Sequence, residues 1–268
     1  MVAIFTGLGS GLERGSGTVL GSAGLFGSSG FGRGGEDLFL NAANGNVVIN
    51  QQDEFVSGMG LDAAVTRTYN SLGNTSDDNG DNWRQGYDRR IINAPATYGA
   101  TNSTVQRVSG DGSIITYTWS ATTNAYVATD GGGAYDTLTK TGSVWTWTDG
   151  DSQVKETYTD PTSSGTFKLA TRVDVDGNTV GFAYGANNLI STVTTSGSDN
   201  GVSTITYAWS GNNLMSITTA YKDLSTSQSK TLTRTSYTYS GNRLATVTVD
   251  LTPDVTTDSN SYTRAANG

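Results

Sequence analysis

Carboxylates, tryptophans and asparagines are the side chains with which this chain could do chemistry, because it contains no histidine and no cysteine. A Ser-His-Asp triad, a cysteine nucleophile and a His/Cys zinc site are therefore excluded. Hydrolysis would have to rest on a carboxylate pair, and the candidates are Asp53/Glu54, Asp149/Asp151 and Glu156. Such a pair needs a set separation across the scissile bond. Asp149 and Asp151 flank Gly150, where aspartate favours its own backbone in a turn. Asp174-x-Asp176-x-Asn178 opens like a calcium loop, but that loop wants glycine and then glutamate where Thr179 and Gly185 stand. A hairpin turn explains Asp176-Gly177-Asn178 better. The stretch Asp77-Asp78-Asn79-Gly80-Asp81 offers only weak oxygen ligands, so no metal site is assigned.

Gly30-Phe31-Gly32-Arg33-Gly34-Gly35 has the spacing of a dinucleotide fingerprint. That motif needs a strand before it and a helix after it. Here a glycine tract precedes and the strand-like Leu38-Phe39-Leu40 follows, so no cofactor is expected. Trp119, Trp145, Trp147 and Trp209 could stack on sugar rings. The competing role is packing, which buries roughly 150–250 Å² per aromatic ring. Recurrence of the aromatics at a regular period favours packing.

The elements that must position these side chains read as strands. No long stretch shows a period of 3.6, so almost no helix is expected. Asn44-Gly45-Asn46 signals a tight turn between Leu38–Leu40 and Val47–Ile49. Aromatics recur at i and i+2, on one face of a strand, in Tyr117-x-Trp119, Trp145-x-Trp147, Phe182-x-Tyr184, Tyr207-x-Trp209 and Tyr237-x-Tyr239. The last three continue alike. Tyr184 leads to Leu189 and Val193, Trp209 to Leu214 and Ile217, and Tyr239 to Leu244 and Val247, each across a Gly/Asn turn. These nine residues form the expected repeat core, with Leu189, Leu214 and Leu244 equivalent. Positions 184, 209 and 239 lie 25 and 30 residues apart, which is room for two strands and two turns.

At these residues the chain resembles the Rhs/YD-repeat family of bacterial polymorphic-toxin and toxin-complex proteins. The usual aspartate after the second aromatic is replaced by Gly185, Ser210 and Ser240, so the copies are degenerate. Gly45-Asn46-Val47-Val48, Asp53-Glu54-Phe55, Gly60-Leu61 and Arg67-Thr68-Tyr69-Asn70-Ser71 resemble the domain that leads into such repeats. The resemblance covers roughly residues 37 to 250. It implies a spiral β-sheet that curls into a hollow shell around a C-terminal toxin or effector. It also implies downstream repeats and that effector as partners, and a secreted or bacterial cell-surface location.

The net charge of −8 repels nucleic acid and anionic membranes, and no apolar run is long enough for a membrane-spanning helix. Met1–Phe5 lacks the basic and apolar regions of a secretory signal, which leaves export to another route. The expected fold is all-β: antiparallel hairpin repeats in a curved, open, shell-like sheet. Residues 1–36 form a flexible Gly/Ser-rich tail, 37–110 a β domain leading in, and 111–268 degenerate YD repeats cut off at the C-terminus. The strand from Leu244 to Val249 is expected to present an open edge and to self-associate. The expected function is a scaffold and not an enzyme. The alternatives are a module binding a glycan or a surface partner through exposed aromatics, and then a carboxylate-pair glycosidase.

Overall fold

The computed structural model describes residues 36–56, 60–73, 78–128, 135–196, 202–223, 226 and 228–253 in full, and the backbone alone of 2–6, 18–20, 30–31 and 261–265. All regular elements among the described residues are strands. The chain divides into two compact units. The first comprises residues 1–52, 66–77 and 82–175, and the second residues 53–65, 78–81 and 176–268.

The chain opens with a sheet of seven strands: β1 (Val2–Thr6), β2 (Thr18–Leu20), β3 (Gly30–Phe31), β4 (Glu36–Asn41), β5 (Val47–Val56), β6 (Ala63–Asn70) and β7 (Trp83–Gln85). They run in the order β2-β1-β4-β5-β6-β7, with β3 also on β4. β1 lies parallel to β4, while β2, β3 and β5 join their neighbours antiparallel. Three of these strands fall inside the stretch expected to be a flexible tail. The rest of residues 1–35 lies outside the described residues.

The Asn44-Gly45 turn forms as the residues indicate. The Asn41 amide donates to Asn46 O and the Gly45 amide to Asn41 O, both at 2.8 Å. Behind it, Asn46 accepts hydrogen bonds from Ser71 Oγ (2.9 Å) and the Leu72 amide (3.0 Å), and Asn70 Nδ2 donates to Asp111 O (2.8 Å). Asn46 and Asn70 are fully buried. Burying an amide is costly where its groups go unbonded. Asn70 is bonded through its Nδ2 and Asn46 through its Oδ1, so both act as internal struts, while Asn46 Nδ2 is buried without a partner among the described residues.

Eight strands follow: β8 (Arg90–Ile92), β9 (Thr104–Val108), β10 (Ile114–Ser120), β11 (Ala125–Val127), β12 (Thr137–Thr141), β13 (Val144–Thr148), β14 (Lys155–Thr159) and β15 (Phe167–Val173). Each pairs antiparallel with the next. β15 then returns to β8 through Phe167↔Ile91 and Lys168↔Arg90, closing an eight-stranded barrel. This corrects the expectation of an open sheet for this stretch. The physical reason lies in the inward positions. Ile91, Val105, Tyr117, Tyr126, Leu138, Trp145, Tyr158 and Leu169 are all fully buried, and eight strands enclose just the width that such side chains fill.

The second unit carries β16 (Thr179–Tyr184), β17 (Ile190–Ser196), β18 (Val202–Ser210), β19 (Asn213–Asp223), β20 (Gln228–Ser240), β21 (Arg243–Asp250) and β22 (Ser261–Ala265). Each pairs antiparallel with the next. The edge expected at Leu244–Val249 is not open. Thr246 to Asp250 pair with Ala265 to Ser261, because the chain after Asp250 comes back as β22. The unpaired backbone groups of a threonine-rich strand are satisfied from within the chain.

Candidate functional site

The densest polar site sits inside the barrel. Strand alternation aims residues i and i+2 inward, so β9 contributes Val105 and Arg107, β10 Tyr117, β13 Trp145 and Trp147, and β14 Glu156 and Tyr158. Both Glu156 oxygens are taken. Oε1 meets Arg89 Nη1 at 3.0 Å, and Oε2 meets Arg107 Nη2 at 2.7 Å and also accepts from the Tyr158 hydroxyl. Arg172 Nε stands 3.8 Å from Oε1. Arg107 Nε donates to Tyr158 Oη at 2.9 Å, and its guanidinium lies 3.9 Å from the centre of the Trp147 ring. Trp147 Nε1 donates to Tyr117 Oη at 3.0 Å, and Tyr117 leans on Asp136 at 3.4 Å.

The electrostatics follow from burial and pairing. Burial alone would raise the Glu156 carboxyl, but Arg107 and then Arg89 outweigh it and hold the group down at about 2. Burial pushes the Tyr158 and Tyr117 phenols up, so both remain hydrogen-bond donors. Burial likewise raises Asp136, against the opposing hydrogen bond from the Gly150 amide. A carboxylate with no exposure, both oxygens engaged and a depressed pKa is a keystone for cations, not a general acid or base.

Of the other carboxylates weighed for hydrolysis, Asp149, Asp53 and Glu54 are engaged in structure, while Asp151 is exposed. Asp149 Oδ1 accepts from the amides of Asp151 (3.1 Å) and Ser152 (2.7 Å), as expected for a turn. Asp53 accepts the Tyr237 hydroxyl at 2.6 Å, and Glu54 lies 3.6 Å from Arg234. In the Asp174-x-Asp176 stretch, Gly177 takes a left-handed φ of +87°, consistent with the hairpin-turn reading. No group of three metal-binding side chains occurs among the described residues.

The tryptophans considered for ligand stacking are packed. Trp145 and Trp147 are buried in the barrel. Trp119 is half-buried, with edge-to-face contacts to Tyr98 and Tyr126 at centroid distances of 5.2 and 5.3 Å. Tyr126 and Trp145 continue the cluster at 5.6 Å.

The repeat core of the second unit shares one plan. Trp209 faces Leu214 and Tyr207 faces Ile217; Tyr239 faces Leu244 and Tyr237 faces Val247. Two aromatics on one strand thus oppose two apolar residues three apart on the other. In a regular strand, residues three apart point to opposite faces. A one-residue bulge at Met215 and at Ala245 restores the common face. Leu214, Ile217, Leu244 and Val247 are buried, and Trp209 and Tyr239 are half-buried over them.

The first repeat follows the same plan with a different residue. Tyr184 faces Ile190, Phe182 faces Val193, and Ser191 is the bulge. Leu189 is therefore not the equivalent of Leu214 and Leu244; Ile190 is. The turn here is one residue longer, closed by Gly185 N to Leu189 O and Asn188 N to Gly185 O, both at 2.9 Å. Leu189 is left half-buried, while Ile190 and Val193 are buried and Tyr184 is half-buried. The other two turns are two-residue loops, Gly211-Asn212 and Gly241-Asn242, with φ of +60° and +64° at glycine. A left-handed first central residue is the II′ geometry that matches strand twist, and it demands glycine.

Among family models, one described as Domain of unknown function (DUF6531) matches residues 40–117. The match runs from the end of β4 into β10 and includes the Asn46/Asn70/Ser71 struts. No curated protein matches the chain.

Proposed function

We propose that this chain is the starting segment of an Rhs/YD-repeat shell, a structural scaffold whose full-length relatives enclose a C-terminal toxin or effector. One observation carries the reading. Three successive hairpins, β16–β17, β18–β19 and β20–β21, share an aromatic pair, a glycine or asparagine turn, a bulge and two inward apolar residues. Such units cannot bury their own apolar faces and stack on neighbours, which is the logic of a wall built by repetition. The wall has a secreted or cell-surface setting, with later repeats and the enclosed domain as its partners. Among the described residues, the carboxylates weighed for hydrolysis form no open acid–base pair, and the tryptophans lend a glycan site little surface.

The test is protease protection in the protein encoded by the whole gene. A downstream domain should resist a protease when fused to the repeats and be cleaved readily when produced without them. Equal cleavage in both settings would contradict the shell.

A further inference from the structure

The turns of the hairpins β16–β17, β18–β19 and β20–β21 are tied to one another by asparagine amides. Asn187 Nδ2 donates to Gly211 O at 3.2 Å, and Asn213 Nδ2 to Gly241 O at 3.3 Å. The short segment Asp78–Asp81, distant in sequence, bonds to the same turns. Asn212 Nδ2 donates to Asp78 O at 3.0 Å, and Asn79 Nδ2 to Asn213 Oδ1 at 2.9 Å. The Leu244 amide donates to Asp81 Oδ2 at 3.1 Å. The segment also holds its own shape: the Asn79 amide donates to Asp78 Oδ1 (2.6 Å), the Asp81 amide to Asn79 Oδ1 (3.1 Å), and Gly80 sits at φ +80°.

Leu244 occupies a telling position. The β21–β22 ladder begins at Thr246, so the Leu244 amide lies beyond it. An amide left open there would invite another strand, and a carboxylate takes it instead. Asn212 and Asn213 belong to the second hairpin and Leu244 to the third. All the bonds can form together only when those hairpins are stacked in one offset.

We propose that Asp78–Asp81 is a strap that sets the register of the second and third hairpins and seals the turn end of their sheet. The acidic loop thereby acquires a role that needs no metal. The strap goes beyond the shell reading and does not depend on it, because its bonds require stacked hairpins and not a closed wall.

Hydrogen exchange on the full chain tests it. Asp81→Ala should speed exchange of the Leu244 amide about tenfold, the scale of one charge-assisted hydrogen bond, while amides within β18 stay protected. Asp81→Asn keeps an acceptor and should fall between. Gly80→Ala removes no bonding group, and its Cβ would meet open space, so it strains only the left-handed turn. It should shift Leu244 exchange in the same direction, and it decides the matter if Asp81→Ala fails to fold. Unchanged exchange at Leu244 in folded Asp81→Ala, or in Gly80→Ala when Asp81→Ala does not fold, overturns the strap.

Discussion

Glu156 shows how one residue can organise a barrel interior. Its carboxylate pairs with the buried Arg107 and the partly exposed Arg89, so removing its charge strands a cation in the barrel interior. Glu156→Gln should cost about 3–5 kcal/mol, as for other buried pairs broken on one side, measured by urea unfolding. The pH dependence has a definite sign. The folded pKa is depressed, so the group stabilises the fold above the ordinary glutamate range, and this is lost as pH falls through that range toward about 2. Urea midpoints should fall over that window in the wild type, and that component should be missing from Glu156→Gln. Asp136 acts in the opposite sense. Burial raises its pKa, so its charged form opposes folding, and the penalty is relieved as pH falls through its raised value. Asp136→Asn keeps an acceptor for the Gly150 amide and should remove this opposing trend, as read by the same titration. Little of this network was legible beforehand. Glu156 drew attention only as a leftover carboxylate. Its partner Arg107 is 49 residues away, on a strand that is not its neighbour in the sheet. Only closure of the barrel brings them together.

At the scale of the element, the hairpin repeats were legible and their register was not wholly so. The aromatic pairs stood out because a spacing of two is the period of a strand. The apolar residues three apart were equally visible, but a bulge had to supply the reason they share a face. In the first repeat, one extra turn residue moved the buried position from Leu189 to Ile190. The consequence is measurable. Ile190→Ala and Leu214→Ala should each cost about 2–5 kcal/mol, and Leu189→Ala clearly less, in denaturant titrations. Leu189 proving as costly as Leu214 would mean that the longer turn is misassigned. The glycine of the two-residue turns is a second case. A Cβ on Gly211 or Gly241 would meet open space, so alanine there would strain only the left-handed backbone. The cost should be about 1 kcal/mol, read in the same titrations.

At the scale of the molecule, the all-β architecture followed from alternation and turn chemistry. The closed barrel over β8–β15 did not. Its strands carry the same aromatic-x-aromatic signature as the later repeats, as Trp145-x-Trp147 and Tyr207-x-Trp209 show. Pattern along one strand says which face is buried, but not whether the first and last strands meet. That is settled by the bulk of the inward residues and by the β14–β15 register shift, which are properties of the whole ring. The central claim is that the hairpins of the second unit are the start of a wall that goes on to enclose something. Electron microscopy of the protein encoded by the complete gene tests it most directly. The account predicts a hollow β shell, in which the hairpins of β16–β21 continue into further stacked hairpins around internal density. A solid particle, or a chain in which the residues after β22 form a separate domain outside any wall, would contradict it.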